Sequence, residues 1–191
     1  LWFGATPETL LTISDYHFTT MSLAGTQVYV DSDQVFWKSK ELEEQQLVTD
    51  FIENQLKPLS SNLKINKTET VKAGNILHLR SRIEGDLNKN SNLKELIRKL
   101  HPTPAVCGLP REKSKSFIIQ NESYKRTFYT GFLGELNFEN KNSSLFVNLR
   151  CMSVEGKIAS IYVGGGITKE SNARKEWEET IAKSKTMKKI L

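Results

Sequence analysis

Hydrophobic and polar positions alternate along much of this chain. Leu10 to Ile13 and Tyr16 to Ser22 read as two strands joined at Ser14-Asp15, and Leu63 to Val71 with Ile76 to Ile83 as a hairpin turning at Ala73-Gly74-Asn75. Three more strands are expected close together, at Phe128 to Leu136, Ser144 to Val154 and Lys157 to Val163, with polar joints at Asn140, Asn142 and Glu155-Gly156. A helical period takes over from Lys40 to Leu56, and Pro58 closes it because the residue before proline avoids the helical region. Further helices are predicted at Asn92 to Leu100, Glu112 to Glu122 and from Asn172 onward. Runs of strands with helices between them favour an α+β architecture over repeating βαβ units.

The helix faces raise the first chemical question. At about 100° per residue, Leu47, Val48, Phe51 and Ile52 form the apolar stripe of the first long helix. Glu44 projects within that stripe and Glu41 extends it one turn earlier, whereas Glu43 falls on the wet side with Asp50 and Asn54. A carboxylate on an inward face is costly unless a cation meets it. Two explanations stand: a cation site, or acidic residues in a first turn that the helix dipole favours. The last helix repeats the pattern, with Glu176 and Glu179 on one face beside Thr180, Lys183 and Met187, while Glu178 points toward Lys185 and Lys189. There the ordinary alternative is a Glu179–Lys183 pair one turn apart. Oxygen donors with no histidine or cysteine at ligand spacing would suit Mg²⁺ rather than zinc.

Arg150 is expected mid-strand in an apolar run, flanked on its own face by Asn148 and Met152. Its guanidinium needs a carboxylate or phosphate, either an internal acidic residue or a bound anion. Gly164-Gly165-Gly166 follows the next strand, where bare backbone N–H groups can approach an anion. The chain has neither a phosphate-binding GxxxxGK[ST] loop nor a GxGxxG opening a helix. His78, between Leu77 and Leu79, reads first as a structural histidine, and there is no nucleophile elbow.

Composition changes this picture little. With 191 residues, 38% of them hydrophobic and 26% charged, the chain can bury a core, and its length suggests one domain over 1–191. The net charge of +5 is not gathered into a patch; Lys183, Lys185, Lys188 and Lys189 belong to a helix end, so nucleic acid is not an expected partner. No run approaches the roughly 18 apolar residues of a membrane helix. Cys107 and Cys151 lack CxxC spacing and read as free thiols of a reducing compartment, and a cytoplasmic protein is expected.

Five segments, taken in order, carry a resemblance: Gly4-Ala5-Thr6-Pro7-Glu8, Leu23-Ala24-Gly25-Thr26, His78-Leu79-Arg80-Ser81, Leu100-His101-Pro102-Thr103-Pro104-Ala105-Val106-Cys107-Gly108-Leu109-Pro110 and Glu176-Trp177-Glu178-Glu179-Thr180. Together they resemble the chorismate-binding enzymes from Phe3 to about Met187, and within that family the isochorismate synthases. Ala24 stands where aminodeoxychorismate synthases typically carry a lysine. The intact His101-Pro102-Thr103-Pro104-Ala105 stretch departs from the Phe-Pro-Ala type of anthranilate and salicylate synthases.

The resemblance implies antiparallel sheets packed together with helices outside, and a reversible hydroxyl shift on chorismate serving menaquinone or siderophore synthesis. It implies Mg²⁺ held directly by Glu44 and Glu179, with Glu41 and Glu176 in support. Arg150, Tyr129, Lys183 and the amides near Gly164 and Gly166 would clamp the enolpyruvyl carboxylate, Gly25 and Thr26 would contact the ring end, His78 would line the site, and Glu8 would be the general acid. No obligatory protein partner is expected. The alternatives are a sister activity on chorismate (salicylate, anthranilate or aminodeoxychorismate formation) or a non-catalytic remnant that binds it. In the family a lysine general base lies upstream of the Gly4–Glu8 segment, and this chain begins three residues before that segment. The expectation is therefore an N-terminally truncated, C-terminal part of the catalytic domain, inactive by itself. Two further departures are Gly165, where relatives often have alanine, and Arg80, where they often have a small residue.

Overall fold

Period-two burial builds the centre of the molecule. The computed structural model describes residues 1–6, 8–29, 35–74, 76–137 and 142–191; Pro7, Asn75 and Asn140, named above, lie outside the described residues. In chain order the elements are β1 (Trp2–Gly4), β2 (Thr9–Ser14), β3 (His17–Val28), α1 (Ser39–Leu56), β4 (Ser60–Ile65), β5 (Glu69–Ala73), β6 (Ile76–Leu87), α2 (Leu93–Leu100), α3 (Pro104–Cys107), α4 (Arg111–Asn121), β7 (Phe132–Asn137), β8 (Asn142–Val147), β9 (Cys151–Glu155), β10 (Ile158–Tyr162) and α5 (Ala173–Lys188). The fold is α+β, as expected. A seven-stranded antiparallel sheet runs β4-β6-β3-β2-β8-β7, with β5 also on β6, and a three-stranded antiparallel sheet runs β1-β9-β10.

Phe18, Thr20, Ser22 and Ala24 of β3, with Leu79, Ser81, Ile83 and Leu87 of β6, are buried, and α1 packs against this part of the sheet. Leu10, Leu11, Ile52, Leu56, Leu96, Leu100, Leu145 and Val147 complete the core. Burial of a large aliphatic side chain contributes about 1.5–3 kcal/mol, which makes this contact the main fastening of α1. Asn92 caps α2 through a reciprocal pair: its Oδ1 accepts from Glu95 N at 3.0 Å, and the Glu95 carboxylate accepts from Asn92 N at 3.2 Å.

Four expectations need correction. Leu47 does not join the buried stripe of α1: it is 46% exposed, and Gln45 and Thr49 are buried instead. The sheet opposite is polar there. Gln45 donates to Ser22 Oγ at 2.8 Å and Ser81 Oγ at 3.1 Å, and accepts from Ala24 N at 2.9 Å. Thr49 meets Ser22 at 2.7 Å, so the buried polar groups satisfy one another.

The strand expected over Ser144 to Val154 is broken at 148–150, its halves β8 and β9 belonging to different sheets. Asn148 causes the break: its N–H donates to Gly131 O at 2.8 Å and its Nδ2 to Phe128 O at 2.8 Å, pulling the backbone off the ladder. Arg150 therefore sits at the break, with φ 47°, and not mid-strand.

Residues 63–71 form parts of two strands, β4 and β5, both paired to β6. The strand expected from Phe128 begins only at Phe132, because Tyr129 N and Gly131 N close turns onto Arg126 O and Phe128 O. The short α3 was not predicted from the pattern. Among the described residues, no helix is long and apolar enough to cross a membrane. Both cysteines are free and buried.

Candidate active site

The site begins as an irregularity in the sheet. The β3–β6 register shifts between Ala24 and Thr26, so Gly25 bulges at φ 65°. A Cβ here would lie 3.2 Å from the carbonyl and Cβ of Glu41, in the first turn of α1. Glycine suits both the left-handed backbone and the close approach. The bulge exposes Gly25 O to the His78 ring, whose Nδ1 lies 3.2 Å away.

The broken β8–β9 connection supplies the opposite wall. Ala5 N donates to Arg150 O at 3.1 Å and Val147 N to Glu8 O at 3.0 Å, fastening Ala5 and Glu8 beside the break. Arg150 Nη2 reaches His78 Nε2 at 2.8 Å. A guanidinium only donates, so Nε2 accepts and the proton sits on Nδ1, which donates to Gly25 O. Burial, then the charges of Arg150 and Lys183, push the His78 pKa down to about 4 and keep the ring neutral. No carboxylate among the described residues pairs with Arg150, so its guanidinium faces the cavity without the anion its position calls for.

The third wall is the glycine run after β10. A Cβ on Gly164 would stand 2.7 Å from the Tyr129 hydroxyl, and one on Gly166 2.8 Å from Glu44 Oε1. The run is glycine because side chains from two elements touch its backbone. Tyr129 is held by ring contacts, stacked on Tyr162 at 5.5 Å, which is itself stacked on Trp2 at 5.0 Å. His101 Nε2 donates to Thr130 O at 2.9 Å, so the histidine of the His-Pro-Thr-Pro segment anchors the Tyr129 turn. Burial raises the Tyr129 pKa, leaving a neutral hydroxyl at the cavity.

A cavity of about 130 Å³ lies between these walls. It is lined by Glu8, Gly25, Thr26, Glu44, His78, Tyr129, Arg150, Gly164, Gly166 and Lys183, together with Ala105 and Val106 of the motif and Arg126. Every residue singled out from the sequence therefore faces it except Glu41, Glu176 and Glu179. Glu8 is 3% exposed, and burial pushes its carboxyl up to about 8 against the opposing pull of Lys183. It is a carboxylic acid, protonated at neutral pH, facing a cavity that holds three cationic side chains, Arg126, Arg150 and Lys183.

The other carboxylates border the glycine run. A Cβ on Gly165 would be 3.3 Å from Glu179 Oε1 and 3.7 Å from Glu176 Oε2. Glu179 pairs with Lys183 at 2.6 Å, the one-turn pair weighed as its ordinary alternative, and Lys183 Nζ also donates to Gly164 O at 3.2 Å. Glu176, 8% exposed, pairs with Lys40 at 2.5 Å. Burial works to raise its pKa, but the Lys40 and Ser171 hydrogen bonds and the lysine charges carry it below the usual value. Glu44 is half-buried and shifted up, by burial first and then by the negative charge of Glu179.

Glu41 instead caps its own helix, accepting from Lys38 N at 3.1 Å, and lines neither this cavity nor the adjoining groove. Among the described residues, no group of three carboxylate, histidine or cysteine side chains is close enough to enclose a metal as it stands. Yet Glu44, Glu176 and Glu179 border one glycine run, their oxygens are hard donors, and Glu44 is repelled by Glu179 and Glu176, with Lys183 and Lys40 offsetting this only in part. That donor set fits a hard divalent cation.

Sequence reasoning missed Lys40, which stands four residues before Glu44 and is the cation that an inward carboxylate face calls for. It also missed Gln45 and the Tyr162–Trp2 stack, for which the pattern gives no local signal.

A sequence profile described as "Chorismate binding enzyme" matches residues 1–191. The chain belongs to this family. It is 30% identical over 194 residues to the isochorismate synthase DhbC of Bacillus subtilis, covering 96% of this chain and 48% of that protein. It superposes on MenF, the menaquinone-specific isochorismate synthase of Escherichia coli, with TM-score 0.88 and 29% identity over 98% of this chain and 45% of that one. Anthranilate synthase component I of Streptococcus pneumoniae shares the fold, with TM-score 0.82, 24% identity and coverage of 97% of this chain and 43% of that one. The chain thus spans about half the length of the curated relatives it matches.

Proposed function

We propose that this chain forms part of an isochorismate synthase, catalysing the Mg²⁺-dependent, reversible conversion of chorismate to isochorismate for menaquinone or siderophore synthesis. The observation that carries this reading is Glu8, a buried and protonated carboxylic acid facing the same small cavity as Arg150 and Lys183. Moving a hydroxyl on a ring needs a proton for the departing oxygen, and a carboxyl held uncharged at neutral pH can supply it.

Arg150 and Lys183 suit the enolpyruvyl carboxylate, with the Tyr129 hydroxyl and the Gly164 and Gly166 amides as neutral partners. Neutral His78 keeps the Arg150 guanidinium aimed into the cavity, while Gly25 and Thr26 meet the ring end. Glu8 then donates its proton to the 4-hydroxyl as water adds at ring carbon 2, and holding both carboxylates fixed turns the exchange into a positioned event. Glu44 and Glu179, supported by Glu176, would hold Mg²⁺, which would supply positive charge for the ring carboxylate, while Glu41 is engaged as the cap of its own helix. The water-activating base is assigned to no residue of this chain.

The test is incubation of the full-length product of the same gene with chorismate and Mg²⁺, with and without chelator, and identification of products by chromatography and mass spectrometry. Chelator-sensitive isochorismate is the expected result. Salicylate with pyruvate, or an aminated product when ammonia is supplied, would move the protein to a sister activity, and no turnover by folded protein would favour a binding remnant.

A further inference from the structure

The carboxylate cluster carries a cation of its own. Lys40 Nζ lies 2.5 Å from Glu176 Oε1, a contact spanning 136 residues of chain, and Glu44 and Glu179 act on the same ammonium. The side chain is largely covered, at 24% exposure. Its place on α1 is not one that a helix would choose. Lys40 is in the first turn, where the helix dipole is positive and a cation is disfavoured. Something outside the helix therefore holds it, and the partner within reach is Glu176 of α5.

Lys183 differs. It pairs with Glu179 within its own helix, bonds Gly164 O and lines the substrate cavity. Lys40 lines no part of that cavity but opens onto an adjoining groove of about 1050 Å³, where a displaced ammonium has room.

We propose that Lys40 is the built-in counter-cation of the Glu44–Glu176–Glu179 cluster, and that a divalent cation entering the cluster displaces its ammonium into the groove. The inference rests on the Mg²⁺ reading above and concerns the order of events before substrate binds. Beside the Lys183–Glu179 pair, Lys40 offsets the repulsion among the three carboxylates in the metal-free protein, and the same contact weakens the cluster's hold on the metal. The competing account makes Lys40 a strut that positions Glu176 for the metal.

Calorimetric titration of the protein with MgCl₂ separates the accounts, with Lys40→Met and Lys40→Gln read beside wild type and melting followed in chelator and in saturating Mg²⁺. If Lys40 is displaced, both variants bind Mg²⁺ more tightly, by about fivefold, the size of one partly exposed ion pair. Both then melt below wild type in chelator and recover in Mg²⁺. Unchanged or weaker Mg²⁺ binding by the variants, with wild type binding normally, overturns the displacement and leaves the metal reading intact. A wild-type protein that takes up no Mg²⁺ overturns both.

Discussion

Two glutamates of this site, Glu8 and Glu176, end in opposite states. Glu8 is nearly sealed from water, and among the described residues its carboxyl makes no hydrogen bond; burial holds it protonated to a pH of about 8. Glu176 is buried to a similar degree, yet its lysine partner carries it the other way. The side chains have the same chemistry, so the difference lies in how fully each is desolvated and in whether a cation comes within ion-pair distance. Glu44 lies between these extremes, buried and repelled by its neighbours. One fold thus places an uncharged carboxyl and a carboxylate–lysine pair within the same small site.

The sharpest way to break this contrast is to remove the proton donor. Glu8→Gln is predicted to lower turnover about 10²–10⁴-fold, the usual weight of a general acid, with Mg²⁺ binding by calorimetry unchanged. Equal turnover would remove Glu8 from the role. Wild-type turnover is also predicted to fall as pH rises through about 8, where the free carboxyl ionises.

Linkage fixes the sign for stability. The folded protein keeps the Glu8 proton between pH 4.5 and about 8 while the unfolded chain loses it, so stability falls as pH rises through that window. Glu8→Gln should flatten the fall in melting temperature. His78 has the opposite sign: lowered from 6.5 to about 4, it contributes stability that grows as pH rises from 4 to 6.5.

A smaller effect tests the seat of Glu44. Gln45→Leu strips partners from Ala24 N, Ser22 and Ser81 and is predicted to cost about 1–3 kcal/mol in chemical denaturation. Gly166→Ala, whose new methyl would press on Glu44 Oε1, should weaken Mg²⁺ binding about tenfold, or 1.4 kcal/mol, and leave the Glu8 titration in place. Leu47→Ala, on the exposed side of the same helix, should stay within about 0.5 kcal/mol of wild type in denaturation.

Much of the scaffold was legible because local signals agreed with it. The Gly74 turn, the Asn92 and Asn172 starts and the α1 ending before Pro58 all carry their cause in neighbouring residues. The break at Arg150 was hidden because Leu145 to Met152 is apolar enough to read as one strand, whereas Asn148 is drawn off the ladder by Phe128 and Gly131, far away in sequence. Leu47 was misplaced for a related reason: a hydrophobic stripe assumes an apolar opposite face, and β3 presents Ser22 and Thr20.

Glu44, Glu176 and Glu179 could be picked out by helical spacing, and Arg150 by its apolar surroundings. Periodicity could not separate Glu41, a helix cap, from Glu44, three residues on, which faces the cavity. Glu8 carried no pattern of its own. Only the resemblance selected it, and burial, which no sequence period encodes, supplies its physical reason.

The central claim is that Glu8 is an uncharged acid beside an ionised cluster. Carboxyl ¹³C NMR of the glutamate-labelled protein, with Glu8 assigned by comparison with Glu8→Gln, reads this directly across pH. A Glu8 midpoint near 8, with Glu176 titrating below the ordinary value, is the predicted result. A Glu8 midpoint near the ordinary 4.5 would contradict it.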